Sequence, residues 1–551
     1  MNVGEMQRKL SLWAEQNKER KFYGLYDLLY DRDWIRLAHD YVKQNAGSVT
    51  AGCDGIDMKL FDENLDSNLQ KIAQELKTET FEPYPVRRAY IPKDNGKVRP
   101  LGIPTITDRI VQEAARMVLE PIYEADFSQY SFGFRPNRRT MDAIKCITWS
   151  TQEQKKYFWI IEGDISSYFD TINHEKLIQL LRRRIKDEWL LKLIWKFLRA
   201  GVMEGRLFRD TKQGTPQGGI ISPLLANIYL HELDRYMERH TALSTKDKTK
   251  RRKQDKANYV YIRYADDFVI LCNGRKEEAE GMKEELSDFL KNSLKLNLSK
   301  EKTKVTHIND GFKFLGFWIQ RRPGNNGMKT KVDIPKEARE RVLGKLTHAT
   351  DKTSYQDSLN TKIQAMNRIT SGWCRYYQYT SRASSNFGWL ENESFWLLAH
   401  WTGRKFCLQM PEVMRRYNQG NRLGTKEYHL IRAYQEFPTL HYKVRFLKPN
   451  PYTMQEEIQR EEFPEDTHWT GWETRPGMAD LRPAVLARDD LRCQKCGEKI
   501  LPEQAHVDHK RPVRRFKKPV DANRMDNLQT LCIPCHRIKT EQDRQMESRM
   551  Q

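Results

Sequence analysis

The feature that most restricts how this chain can fold is a short acidic turn, Tyr264-Ala265-Asp266-Asp267, set between two apolar runs, Tyr259–Ile262 and Phe268–Cys272. Both runs are rich in β-branched and aromatic residues, so they read as two strands joined by a tight polar connection. Such a hairpin holds two adjacent carboxylates at its tip. Keeping both ionised side by side is costly unless a cation lies between them, so an acidic pair on a rigid turn points to a divalent metal. An ordinary Asp-containing β-turn has the same residues without that role, and the rest of the chain must decide. A metal reading needs a third carboxylate, a place for phosphates and a groove for a long ligand.

The third carboxylate has one good source. Phe158–Ile165 is a buried-strand pattern that ends on Asp164, and Asn173 then caps a helix. Asp164 lies at the strand's end and can face Asp266 and Asp267. Asp170 lies beyond the following turn and suits a cap or solvent.

Phosphate-binding candidates come from two loops. Arg87–Pro104 has the form of a basic hairpin with Asn95-Gly96 at its turn, Lys93 on one arm and Arg99 on the other. The two cations can grip a triphosphate, or the ribbon can be a solvated sheet edge. Gln213–Gly219, with Gln217, is a Gly/Pro loop before Ser222-Pro223, which reads as an N-cap followed by a first-position Pro. A helix from Asp108 is expected to stop near Pro121. Ser131–Pro136 reads as a loop suited to a template strand or nucleotide, and Phe312–Ile319 as one strand.

A chain of 551 residues predicts two to four domains. Its 95 Lys+Arg against 74 Asp+Glu give a net charge of +21, spread along the length, which fits a polyanionic partner. Aromatics at 11% supply stacking surfaces for bases. No apolar run is long enough for a membrane span, and Met1–Phe22 carries acidic residues and no apolar core, so neither a signal nor a transit peptide is expected. Lys246–Lys256 holds seven Lys/Arg in eleven residues and reads as a mobile surface insertion in reach of RNA, with Lys250, Arg251 and Arg252 as contacts. Arg321–Gly327 reads as a linker. The expected domains are 1–60, helical; 61–325; 326–410, all-helical over 335–410; 411–474, basic and Pro-broken; and 475–551.

The last of these carries its own constellation. Cys493-x-x-Cys496 and Cys532-x-x-Cys535 match a Cys₄ zinc site, and clustered thiols of this kind indicate a reducing compartment. Four thiolates fill a tetrahedral ion, which leaves Asp508, His509 and His536 for other work. Asp508 and His536 suit a Mg²⁺-type ion held against a scissile phosphate, His509 suits deprotonation of water, and Asn527 suits orienting His509. Arg511, Arg514, Arg515, Lys517 and Lys518 suit the DNA backbone.

With these residues in place, the chain from about residue 20 onward resembles a bacterial-type group II intron-encoded protein: reverse transcriptase, maturase and C-terminal HNH endonuclease. The blocks are Ile91-Pro92-Lys93…Arg99–Pro104, Gly133–Pro136, Asp164-Ile165…Phe169, Gln213–Gly219 and Tyr264–Asp267. The resemblance implies an α+β, multidomain fold: right-hand fingers and palm on an antiparallel sheet, an all-α thumb, and a zinc-bound ββα-metal module. It implies two Mg²⁺ ions about 4 Å apart on Asp164, Asp266 and Asp267. Lys93 and Arg99 would meet the triphosphate, with Gln217 and Ile165 at the incoming nucleotide and Phe169 as the gate against a ribose 2′-OH. Trp373, Tyr376 and Tyr377 would face intron RNA, and 411–474 would meet DNA. Expected partners are intron RNA, target DNA and dNTPs, in a bacterial-type cytoplasm. A maturase whose polymerase is unused, or a reverse transcriptase of another class, are the alternatives.

Overall fold

The computed structural model describes residues 2–453 save 93–97, 205–206, 210–212, 216–217, 300, 325–326, 421 and 443–448. Beyond that it describes 485–486, 488–500, 505–511, 522, 525–532, 534–536 and 538–539. The chain divides into two compact units, Met1–Gln455 and Glu456–Gln551.

In the first unit the strands run, in chain order, β1 (Val86–Pro92), β2 (Val98–Ile103), β3 (Trp159–Gly163), β4 (Val202–Glu204), β5 (Leu207–Arg209), β6 (Tyr259–Tyr264), β7 (Asp267–Cys272), β8 (Lys304–His307), β9 (Phe312–Phe314), β10 (Phe317–Gly324) and β11 (Gly327–Asp333). They form an antiparallel central sheet ordered β6-β7-β3-β8, a mixed sheet β2-β1-β4-β5 and a three-stranded β11-β10-β9. A two-residue ribbon, β12 (Asn418–Gln419) and β13 (Arg422–Leu423), follows.

The central sheet is buried on both faces, which explains its continuous apolar runs. Alternate residues enter two separate cores. Ile161, Tyr261, Phe268 and Ile270 join the helices of the first 300 residues, while Ile160, Ile262, Val269 and Leu271 join the later helical region. That region comprises Lys336–Ala349, Leu359–Tyr377 and Ala383–Lys405, all helical as expected. No helix among the described residues is long and apolar enough to cross a membrane.

Several local expectations change. The helix Ile106–Glu124 runs through Pro121, giving up the bond that an N–H there would make to the carbonyl of Met117. Ser222 is the first residue of the helix Ser222–Thr241, and Ile221 takes the N-cap position. The run Phe312–Ile319 is a hairpin, turned at Leu315-Gly316 where both residues have positive φ, 48° and 75°. Arg321–Gly327 belongs to the β10–β11 hairpin rather than a linker. The basic insertion is an ordered helix, Thr245–Lys253, capped by Ser244.

The far end of this unit returns to its start. The Asn450 amide donates to Ser11 Oγ (2.9 Å) and Glu15 (2.6 Å), and the Tyr452 hydroxyl donates to Glu120 at 2.5 Å. Residues 450 and 452 thereby strap the first helix, Val3–Gln16, to the helix Ile106–Glu124.

The second unit has a core of its own, built from Val485, Leu486, Ile500, Ala505, Val507, Leu528 and Leu531. Its antiparallel pair is β14 (Ala505–His509) and β15 (Leu528–Cys532).

Candidate active sites

Strand register assembles the acidic site. Tyr264 pairs with Asp267, so Ala265 and Asp266 alone form the loop. Gly163 pairs with Phe268 across β3 and β7, which carries the next residue, Asp164, opposite Asp267. A Cβ on Gly163 would lie 2.1 Å from the buried Phe268 ring, so a larger residue there would have to displace that ring. Beyond β3, Asp164 O accepts from Ser299 N and Ser166 N donates to Asn297 O, pinning the strand's extension.

Charge is crowded there. Lost hydration, then the Asp164 charge, raises the Asp266 carboxyl, against the pull of Arg99 and Lys302. Asp267 lies at the open edge. Even so, enough protein surrounds it that lost hydration, then Asp266 and Asp164, push it up to about 6. The Lys302 ammonium stands 3.0 and 3.1 Å from the two Asp164 oxygens. Three hard oxygen donors that resist joint ionisation fit a Mg²⁺-type ion.

The turn is held from behind. Ala265 has φ +57°, a left-handed conformation that is strained for a residue with a Cβ. Arg263 Nη1 donates to Ala265 O at 2.9 Å and to Asn227 Oδ1 at 2.8 Å. Its Nε and Nη2 donate to the two Asp234 oxygens at 2.7 and 2.6 Å, and the Tyr261 hydroxyl adds a bond to Asp234. Both ions are fully buried. Burial alone would neutralise them, but the ion pair outweighs it, holding the Asp234 carboxyl far below and the Arg263 guanidinium above their usual ranges. On the other side, Asn227 Nδ2 donates to Gly133 O at 2.9 Å, and a Cβ on Gly133 would lie 2.3 Å from Ala265 N.

Beside the carboxylates, Phe169 is half-buried on a one-turn helix, Tyr168–Thr171. The Gly/Pro loop is sewn to it: Thr215 N donates to Phe169 O (2.7 Å) and Gly214 N to Ile172 O (2.8 Å). A Cβ on Gly218 would lie 2.5 Å from Gly102 O, so the loop also lies against β2. Arg99, exposed on β2, is close enough for its charge to lower both Asp266 and Asp267. Lys93, Asn95-Gly96 and Gln217 lie outside the described residues. Ile165 is 3% exposed, with its side chain in the core, so it offers a nucleotide no side-chain contact.

In the second unit the Sγ atoms of Cys493, Cys496, Cys532 and Cys535 lie within 4.8 Å of one another and could hold a metal ion. Cys496 and Cys532 are 3.8 Å apart. Burial raises the Cys493 thiol, but backbone N–H groups of Cys532, Cys496 and Lys495 outweigh it and bring it down to about 6. Along β14, Ala505, Val507 and His509 are buried while His506 and Asp508 share the opposite face. The His506 and His536 rings stack at 4.8 Å, and Asp508 pairs with Lys539 at 3.1 Å. The sequence reading gave His506 no role. The Asn527 side chain bonds the backbone of Arg511 and Ala522 and so clamps the chain leaving β14, two residues beyond His509.

Three family models match this chain: "Reverse transcriptase (RNA-dependent DNA polymerase)" over residues 91–319, "Group II intron, maturase-specific domain" over 339–418, and "HNH endonuclease" over 493–542. Protein YkfC of Escherichia coli (strain K12) is 40% identical over 366 residues, 63% of this chain and 96% of that protein. The present chain belongs to the group II intron-encoded protein family. The intron-encoded protein LtrA of Lactococcus lactis subsp. cremoris is 39% identical over 376 residues, 59% of this chain and 61% of LtrA, so the match spans about three fifths of that relative. A putative COX1/OXI3 intron 2 protein of Saccharomyces cerevisiae is 31% identical over 54% of this chain and 39% of its own length. This group II intron-encoded protein thus carries both a reverse transcriptase and an HNH endonuclease domain.

Other expected contacts of the intron-encoded protein are corrected by packing. Tyr377 is buried, donating its hydroxyl to Gly316 O, and Trp373 donates to Ala338 O with its ring against Tyr377 and Phe387. Tyr377 is thus a core residue, whereas Trp373 is partly buried against that core. Tyr376 keeps 43% exposure while stacking on Phe317. Arg251 spends its guanidinium on Ala257 O, whereas Lys250 and Arg252 are exposed. In the loop Ser131–Pro136, Arg135 is buried against Glu124 at 2.7 Å, and Phe134 alone projects, 53% exposed. Lys302, Arg263, Asp234 and Asn227 escaped the sequence reading. Arg263 had one signal, a charge within an otherwise apolar strand.

Proposed function

We propose that this chain copies intron RNA into DNA at the Asp164–Asp266–Asp267 site, binds that RNA through its maturase region to assist splicing, and nicks the target DNA whose end serves as primer. The observation that supports it most is the register that sets Asp164 opposite the Asp266-Asp267 turn. Mg²⁺, when bound, would supply charge neutralisation at the attacking 3′-oxygen and the leaving pyrophosphate. Asp164, Asp266 and Asp267 would hold it, and the ion would offset the lost hydration and charge crowding that raise the Asp266 and Asp267 carboxyls. Arg99, with Lys93, steadies the triphosphate. Phe169 walls the sugar, held by the bonds that sew Gly214 and Thr215 to its helix. This is a right-hand palm with basic fingers and a helical thumb.

The Cys₄ cluster suits zinc, since thiolates 2.3 Å from a tetrahedral ion stand about 3.8 Å apart. It would tie Cys493–Cys496 to the end of β15 and so fix β14. Asp508 and His536, joined by His506 on the same side of β14, would hold the nuclease Mg²⁺, and His509 would take the proton from water. Lys250, Arg252 and the exposed face of Tyr376 remain as intron RNA contacts.

The test uses the full chain with its intron RNA, an RNA-templated primer and a target duplex. Wild type extends and nicks; Asp266→Ala loses extension while keeping RNA binding; His509→Ala loses nicking alone. A wild type that promotes splicing yet never extends a primer would falsify the polymerase reading.

A further inference from the structure

The geometry points to Arg263, with Asp234 and Asn227, as the set of positioning residues that fixes the catalytic turn; the inference rests on the polymerase reading above. None of the three faces the carboxylates' open side, so none touches substrate. Their work is on the backbone that carries Asp266 and Asp267.

Three observations converge on it. First, Ala265 holds a positive φ of 57° in a two-residue loop, where glycine is the residue without a steric penalty. A conformation of this kind persists when its surroundings over-determine it. Second, the constraint is a directed bond: one Arg263 nitrogen reaches both the Ala265 carbonyl and the Asn227 side chain, while the other two nitrogens lock on Asp234. The planar fork therefore has its orientation set by one carboxylate and delivers that orientation to the turn. Third, Asn227 and Asp234 lie seven residues apart on the helix Ser222–Thr241, two turns along one face. Through the Asn227 amide, the same helix holds Gly133 O, and the Gly133 backbone presses on Ala265 N. One helix face thus grips the turn from two sides.

A buried ion pair is weak evidence of stabilisation in itself, because desolvation offsets much of the attraction. The bond to Ala265 O is what a purely structural pair does not need. That difference gives the test. Arg263→Lys keeps a cation beside Asp234 but cannot hold both Asp234 oxygens and reach Ala265 O. Asn227→Ala leaves the ion pair whole and removes only the Gly133 hold and one guanidinium contact, so it decides should Arg263→Lys not fold.

In full-length protein, Arg263→Lys is expected to lower kcat for RNA-templated extension at least tenfold and Asn227→Ala about threefold, as loss of orientation does. The Mg²⁺ concentration for half-maximal rate should rise in both, with KM for dNTP, intron RNA binding and DNA nicking unchanged. Extension at the wild-type rate and Mg²⁺ requirement by either folded variant overturns the inference. So does parallel loss of RNA binding and extension in Asn227→Ala, which marks a general fold defect. A wild-type chain that does not extend refutes the polymerase reading itself, a separate result.

Discussion

Gly133→Ala puts the architecture behind the turn under direct load. A Cβ at this position would lie 2.3 Å from Ala265 N, 2.8 Å from Tyr264 C and 3.0 Å from Ala265 Cα. The first is about 1 Å short of the 3.4 Å at which ordinary contact begins. All three atoms are backbone, so no rotamer change relieves the clash. Gly133 cannot retreat freely, because its carbonyl accepts from Asn227. The turn must therefore move by roughly 1 Å, and a misplacement of that size costs about 100-fold in rate, about 2.7 kcal/mol of barrier. Single-turnover primer extension on an RNA template measures it, with intron RNA binding followed in parallel. Gly344→Ala is the control: it sits in the helix Lys336–Ala349 with nothing within 4 Å and should stabilise by about 0.5–1 kcal/mol without slowing extension. Should Gly133→Ala extend within threefold of wild type, the close packing of this loop on the catalytic turn has no functional weight.

Two more consequences concern protons and metal. Because the folded Asp267 carboxyl is pushed up to about 6, its charged form is the disfavoured one. The metal-free protein should lose stability from this group as pH rises from about 4 through 6, and the Mg²⁺-induced rise in Tm should be larger at pH 7 than at pH 5. Equal Mg²⁺ shifts at the two pH values would contradict the crowded-carboxylate account. Cys496→Ser, in the cluster of four thiols, should release one equivalent of zinc to a chromophoric chelator and abolish nicking while RNA-templated extension persists, since the first unit has its own cores. Extension lost together with nicking would refute that independence.

Much of the polymerase site was legible because strand patterns and an acidic turn are local signals. Tyr259–Ile262 and Phe268–Cys272 are strands with Asp266 at the tip, and Asp164 does follow β3. What sequence hid was which side of each residue faces where. Arg135 lies in a loop that reads as suited to a template strand or nucleotide, yet it is consumed by Glu124, a partner eleven residues upstream. Trp373 and Tyr377 sat at helical spacing and went inward. In the second unit, strand alternation explains why Asp508 and His506 share a face that His509 does not. The Leu315-Gly316 reversal was marked only by its glycine.

The strap at Asn450 and Tyr452 sets an order of events during synthesis. Asn450 meets Ser11 across 439 residues, and at bacterial-to-eukaryotic elongation rates that separation takes roughly 20 to 90 s to make. The first helix and Ile106–Glu124 therefore emerge long before the residues that clamp them, and the closing contact is among the most non-local in the unit. A ribosome halted within the maturase region holds a chain whose Asp164, Asp266 and Asp267 are already made but whose opening helix lacks its clasp. Closure of the clasp thereby awaits translation past the whole maturase segment, 339–418.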